Sequence, residues 1–194
     1  MDLLPACPGG RARGRIGSPG AELHPEHLEG YALKPILKAA LPVTLHVVDA
    51  FHPSGLALTL TRASHLLVPA ATSVSSPPPT PPTFVVDHFT CDKVTIAHGA
   101  PKFTRILGVA IKDQLATMTV DIRKPTFLCN PTDRDGTSPG AENHLDHLMC
   151  YQVRQVDAVK FKKVTGILVD DPFGPETLDA KKPSELCVPA LTAP

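Results

Sequence analysis

Four of the five cysteines are spaced so that they could form crosslinks, act as thiols or hold a metal. They are Cys91, Cys129, Cys150 and Cys187, and no C-x2-C pair occurs among them. Structural zinc sites favour such close ligand pairs. Disulfide bonds are therefore the preferred interpretation, with buried free thiols and a metal site as the alternatives. Cys7 lies in an N-terminal segment rich in Gly, Arg and Pro, where it could remain a free thiol or form an intermolecular bond.

Three histidines, His27, His88 and His147, each precede an equivalent position in three similar segments. A metal site would need several imidazoles on one face. Histidines three residues apart, such as His24 and His27, point to opposite faces of a strand. We therefore expect a structural role, in which each histidine bonds to backbone at the start of a strand, and no bound metal.

Asp49, Asp113 and Asp171 are also in register, and each follows an apolar stretch and precedes a turn. An aspartate at such a position commonly accepts hydrogen bonds from the turn backbone. That role is the simpler interpretation. A calcium ligand or a catalytic carboxylate is the alternative.

Other signals of catalysis are missing. The chain has no GxSxG, HExxH, phosphate-binding loop or dinucleotide fingerprint. We therefore expect no catalytic residues, no cofactor and no enzymatic activity. An enzyme whose site forms between repeats is the least favoured hypothesis.

These residues belong to a threefold repeat that spans residues 27–70, 88–131 and 147–190. The third copy contains HLMCYQV and KKPSELCVPA, and the second contains HFTCDKV and RKPTFLCNP. The first copy has Gly30 and Leu67 at the two cysteine positions. Because both cysteines are missing from the same copy, pairing within a copy explains the pattern best. We predict the disulfides Cys91–Cys129 and Cys150–Cys187.

Apolar and polar residues alternate within each copy. Met118, Val120 and Ile122, for example, alternate with polar residues, a pattern typical of half-buried antiparallel strands. The sequence predicts an all-β protein made of three related small antiparallel units, sandwich-like or meander-like, with the second and third packed on each other. A β-trefoil is less favoured because the connections between copies are long.

The predicted organisation begins with a disordered tail at 1–23 and a degenerate first repeat at 24–70. A Pro-rich linker at 71–83 leads to the second repeat at 84–131. A loop at 132–143 leads to the third repeat at 144–190. Lacking its cysteines, the first repeat is expected to gain stability by docking on the second.

Charge and hydropathy exclude some partners. The formal net charge is zero and only 5% of residues are aromatic, which disfavours a nucleic-acid partner. No apolar run is long enough for a membrane-spanning helix. The N-terminal residues do not resemble a signal peptide as written. The predicted disulfides nevertheless favour an oxidising compartment, either secreted or in the cell envelope.

The pattern H-(F/L)-x-C-(Y)-x-V, followed by K-P-x-x-L-C-x-P, resembles an uncharacterised, tandem, cysteine-paired repeat domain of secreted bacterial proteins. The likeness is good over residues 88–190 and poor over residues 27–70. It implies an extracellular or envelope location in a bacterium and carries no catalytic residues.

Two functional hypotheses follow. The first is a non-enzymatic extracellular module with a structural or adhesive role. The second is a lectin-like or other ligand-binding module with a protein or glycan partner, whose site would hold Tyr31 or Tyr151 beside acidic residues.

Overall fold

A computed structural model describes residues 26–36, 43–78 and 84–193. The predicted disordered tail and Cys7 lie outside these residues. The described part consists of β strands, turns and a short 3-10 helix at Ala141–Asn143. The all-β prediction is therefore confirmed.

Each copy contributes a short first strand, a second strand and a long third strand. In the first copy these are β1 (Glu26–Ala32), β2 (Val43–Asp49) and β3 (Leu56–Ser73). In the second they are β4 (His88–Ile96), β5 (Ile106–Lys112) and β6 (Thr117–Thr132). The third has β7 (His147–Gln155) and β8 (Val164–Asp171), and its long strand is divided into β9 (Gly174–Ala180) and β10 (Glu185–Ala193).

The same pairing recurs in every copy. The second strand pairs with the beginning of the long strand, and the first strand pairs with its end. This layout follows from the sequence alternation. Met118, Val120 and Ile122 on β6 are buried, whereas the residues between them are partly exposed. Each copy is thus an antiparallel unit in which both short strands pair with the long one, and one face of the long strand is turned to a core.

The three copies join edge to edge into one hydrogen-bonded sheet. β3 pairs with β4 and β6 pairs with β7, so each long strand meets the first strand of the next copy. β10 then pairs with β2, which also pairs with β3. The order β2–β10–β7–β6–β4–β3–β2 is therefore a closed ring of six strands. The first copy does dock on the second, through a strand ladder.

The main hydrophobic core is enclosed by this ring, because all its buried members lie on the six ring strands. It includes Leu58, Ile122, Leu128, Met149 and Tyr151. β1, β5, β8 and β9 lie off the ring: β1 and β5 pair with β3 and β6, and β8 pairs with both β3 and β9. β3 extends to Ser73 and pairs there with β8, so the strand reaches into the stretch predicted as a linker.

Both predicted disulfides are present, Cys91–Cys129 and Cys150–Cys187. Each joins residues directly opposite each other on paired strands. The Sγ atoms of Cys129 and Cys150 are 3.8 Å apart. The two disulfides therefore form one buried cluster, against which Leu67 of the first copy packs.

Candidate functional site

The three equivalent aspartates perform the turn role predicted from the sequence. In each, Oδ1 accepts two backbone N–H groups from the turn that follows. Asp49 accepts from Phe51 and His52, both at 2.8 Å. The equivalent distances are 2.8 and 2.7 Å at Asp113, and 2.7 and 3.2 Å at Asp171. One carboxylate oxygen of each residue is thus used to shape the chain.

The second carboxylate oxygen distinguishes the copies. Tyr151 of the third copy donates its hydroxyl to Oδ2 of Asp49 in the first. Tyr31 of the first copy donates to Oδ2 of Asp171 in the third, at 2.8 Å. The first and third copies therefore exchange tyrosine–aspartate bonds. The second copy has Asp92 at the tyrosine position, and burial raises the pKa of that carboxyl.

The Tyr151–Asp49 pair is buried. Tyr151 is fully inaccessible and Asp49 nearly so. His52 Nδ1 lies 3.0 Å from the tyrosine oxygen and 3.3 Å from Asp49 Oδ1. The edge of Phe51 meets the Tyr151 ring, with centroids 5.8 Å apart. A substrate could not reach these groups without opening the ring, so the pair serves packing.

Electrostatics agree with that role. Burial disfavours the charged form of Asp49, but hydrogen bonds from His52 and Tyr151 outweigh it and lower the pKa of the carboxyl. Burial and the nearby Asp49 charge raise the pKa of Tyr151. The pair is therefore a neutral phenol that donates to a carboxylate, the strong charge-assisted kind of hydrogen bond.

The Tyr31–Asp171 pair lies nearer the surface and gathers further acids. The Tyr31 hydroxyl is also 2.9 Å from Glu176 Oε1. Glu29 is two residues before Tyr31 on β1, so both side chains share one face of the strand. We call Glu29, Tyr31, Asp171 and Glu176 the carboxylate cluster. Burial and the charges of Glu176 and Asp171 raise the pKa of Glu29 to about 7.

Two further side chains border the carboxylate cluster. Phe173 meets the Tyr31 ring edge-on, with centroids 5.1 Å apart. The Arg134 guanidinium lies 4.9 Å from the centre of the Phe173 ring. Arg134 belongs to the second copy's connection to the third, so residues from all three copies meet at this place.

The three equivalent histidines occupy different surroundings. His147 binds Asn130 Oδ1 through Nδ1 at 3.0 Å and Thr192 Oγ1 through Nε2 at 3.1 Å. These partners are side chains, so the predicted backbone bond is not what holds His147. Burial lowers its pKa. His147 bonds to side chains because the backbone groups of the strands around it are already paired in the ladders.

His88 begins β4 and is buried, and neither of its ring nitrogens has a hydrogen-bond partner among the described residues. Burial, followed by the charge of Arg134, lowers its pKa. His27 lies on β1 opposite Ala70. Across residues 26–36, 43–78 and 84–193, no group of three or more His, Cys, Asp or Glu side chains is arranged to hold a metal ion.

A comparison with protein families finds one match, a repeat of unknown function (DUF7450), over residues 27–189. The chain belongs to this family. No curated protein and no solved structure matches it. The match begins at His27, at the start of the first copy, and ends at Pro189, at the end of the third copy. It therefore includes the first copy, although that copy lacks both cysteines.

Within this DUF7450 chain, the sequence reasoning overlooked several polar residues that the fold brings together. Glu29 could have been found, because it alternates with Tyr31 on a predicted strand. Glu176 and Arg134 gave no local signal, since their neighbours come from other copies.

In the described part of the chain, no helix is long and apolar enough to cross a membrane.

A groove on the third copy was also overlooked. It has a volume of about 330 Å³ and lies between β7, the loop before β8 and the residues between β9 and β10. Arg154, Lys160 and Lys182 line it, together with Phe161 and Pro183. Three cations beside an apolar surface distinguish this groove from the carboxylate cluster.

Proposed function

We propose that this chain is a non-enzymatic module of the cell envelope or extracellular space, with a structural or adhesive role. The observation that carries the proposal is the pair of adjacent, buried disulfides that crosslink neighbouring strands of one closed ring. Disulfides form and persist in oxidising compartments and are rare where thiol reductants act. The sequence likeness to repeats of secreted bacterial proteins supports the same location.

The use of the polar residues supports a scaffold role. All three repeat-equivalent aspartates bond to turns, and Asp49 and Asp171 also bond to a tyrosine of another copy, which helps to hold the first and third copies together. Tyr151 and Asp49 are buried. Residues used in this way stabilise a rigid, crosslinked body, which suits a module that must persist outside the cell.

The compartment can be tested in the cells that make the protein. Free thiols are blocked in intact cells with a maleimide polymer, and the protein is then located by fractionation and its mass shift measured. The expected result is no modification at the four repeat cysteines and recovery in the envelope or the medium. Cytoplasmic protein with all four thiols modified would overturn the proposal.

A ligand-binding module is the second candidate, and the cationic groove on the third copy favours it. The expected tyrosine site does not provide the opening, because Tyr151 is fully buried. Tyr31 is partly exposed and lies beside acids, but Arg154, Lys160 and Lys182 provide the more open surface. An equilibrium binding screen with the oxidised full chain tests this candidate.

A further inference from the structure

We propose that the groove on the third copy binds an anionic saccharide, one that carries carboxylate or sulfate groups. The groove is formed by residues 152–155, 160–161 and 182–184. This inference deepens the ligand-binding candidate and does not depend on the structural role proposed first.

The groove exists because the long strand of the third copy is interrupted. Residues 181–184 separate β9 from β10, whereas the equivalent residues of the first two copies continue β3 and β6. The interruption leaves Lys182, Pro183 and Ser184 along an open channel beside β7. The volume of about 330 Å³ matches the lower end of small-ligand sites, which suits one or two sugar units.

The charge of the groove selects an anion. Its lining contains Arg154, Lys160 and Lys182, and none of the described lining residues is acidic. Asp121, opposite Arg154 on β6, and Asp157, beside Gln155, are the neighbouring acids, and each accepts a backbone N–H group. Arg154 and Lys182 are exposed. An arginine can bind a carboxylate or sulfate through two parallel hydrogen bonds, and lysines add point charges.

One wall of the groove is shaped before any ligand arrives. Gln155 Oε1 accepts the backbone N–H of Phe161 at 2.8 Å, and its amide donates to Asp157 Oδ2 at 3.0 Å. Lys160 Nζ donates to the carbonyl of Asp157 at 2.7 Å. These bonds hold Lys160 and Phe161 at the rim, which reduces the ordering cost of binding.

The apolar part of the lining favours a sugar over a bare ion. Phe161 and Pro183, both partly exposed, provide a nonpolar surface beside the cations. A sugar ring has a C–H face for such a surface and an acidic group for the cations, and Gln152 and Ser184 can bond to hydroxyls. Nucleic acid is less suitable, because the chain has zero formal net charge and a strand-binding site needs an extended basic stripe with stacking aromatics.

The first copy supplies a matched control. Lys34 and Arg62 are exposed, as Arg154 and Lys182 are. Arg62 lies on β3, opposite Lys93 of β4 and across the ring from β7. Removal of these two cations therefore changes the net charge as removal of Arg154 and Lys182 does, without touching the groove.

The test measures binding of the oxidised full chain by calorimetry to four probes. They are an oligogalacturonate, a sulfated heparin oligosaccharide, a neutral maltooligosaccharide and a single-stranded DNA oligonucleotide. We expect saturable binding to at least one acidic saccharide and none to the neutral one. Arg154→Gln/Lys182→Gln should weaken that binding by about tenfold or more, whereas Lys34→Gln/Arg62→Gln should leave it unchanged.

Three results would overturn the inference. These are no binding to either acidic saccharide, equal weakening by Lys34→Gln/Arg62→Gln, or tighter binding of the DNA than of both saccharides. The variants concern exposed side chains, and thermal unfolding establishes that each is folded. Arg154→Lys keeps the positive charge but not the two parallel hydrogen bonds of the guanidinium. It should retain most of the saccharide binding if the charge provides the affinity, and lose it if the two hydrogen bonds do. Failure of all saccharide binding would leave the disulfide and compartment test unaffected.

Discussion

The first and third copies contain the same tyrosine–aspartate pair in opposite surroundings. Tyr151 of the third copy lies on a ring strand and bonds to Asp49 in the buried core. Tyr31 of the first copy lies on β1, off the ring, and bonds to Asp171 beside two more carboxylates. The same residues in register thus stabilise the ring core in one place and, in the other, join a buried aspartate to a half-buried tyrosine beside two more carboxylates. The surroundings of each pair depend on whether the strand that carries its tyrosine belongs to the ring.

The two copies also differ in their crosslinks. Cys150 faces Cys187 across β7 and β10, whereas Gly30 faces Leu67 across β1 and β3. Leu67 packs against the disulfide cluster of the other copies. The first copy therefore receives its stability from its neighbours, through the β3–β4 and β2–β10 ladders, in place of a crosslink of its own.

The largest expected effect comes from removing the crosslink of the third copy. Cys150→Ala/Cys187→Ala should reduce the free energy of unfolding by about 4 kcal/mol, because the disulfide closes a loop that spans 37 residues of sequence. Denaturant unfolding of oxidised protein measures the loss. Cys7→Ser, outside the repeats, is the control. An unchanged midpoint would mean that the third copy, like the first, is held by its neighbours alone.

The next effect separates the two tyrosines. Tyr151→Phe should cost about 2 to 3 kcal/mol, because a buried carboxylate loses its charge-assisted donor. Tyr31→Phe should cost less, about 1 kcal/mol, because Tyr31 is half-buried and water can replace part of the bond that the buried Asp171 loses. The two variants are compared by denaturant unfolding under identical conditions. Equal losses would contradict the assignment of one pair to the core and the other to the surface.

A third disulfide should make the first copy resemble the third. Gly30→Cys/Leu67→Cys places two cysteines at directly opposed positions, and we expect them to pair on oxidation. The net gain should be about 2 kcal/mol, since lost packing of Leu67 offsets part of the crosslink. Non-reducing peptide mapping identifies the bond, and Leu67→Cys alone is the control. Persistent free thiols at both positions would show that the register of β1 against β3 differs.

The smallest effect is a pH dependence from the carboxylate cluster. The folded pKa of Glu29, about 7, is above its ordinary value of 4.5. Between these values the folded state holds more protons than the unfolded state, so this residue makes stability fall as pH rises from about 4.5 to about 7. Glu29→Gln should remove that fall. The variant should match the parent at pH 4.5 and be more stable at pH 8.

Melting temperatures of parent and variant, measured across that range, give the contribution of Glu29 by difference. Other groups titrate in both proteins and cancel in this comparison. Asp179→Asn, which alters an exposed carboxylate paired with Lys163, is the control. A difference between Glu29→Gln and the parent that stayed constant with pH would contradict the raised pKa.

Features confined to one copy could be predicted from the sequence. The cysteine pairs, the alternation at Met118, Val120 and Ile122, and the turn role of Asp49 all follow from spacing within a repeat. The exchange of Tyr31 and Tyr151 between copies could not be predicted. It depends on which strand of one copy pairs with which strand of another, and the register of the repeats does not determine that pairing. The carboxylate cluster was missed for the same reason. The groove lies within the third copy and was missed because it depends on where the long strand is interrupted, between β9 and β10.

Closure of the ring affects when the chain can finish folding during its synthesis. β10 pairs with β2, so residues near 190 meet residues near 49. During synthesis from the N-terminus, β2 and β3 exist long before β10, and the outer edge of β2 stays unpaired until then. Contacts so distant in sequence form slowly. Asp49 likewise gains the hydrogen bond from the Tyr151 hydroxyl only after the third repeat has been made. The ring therefore remains open at the edge of β2 until the third repeat has been made.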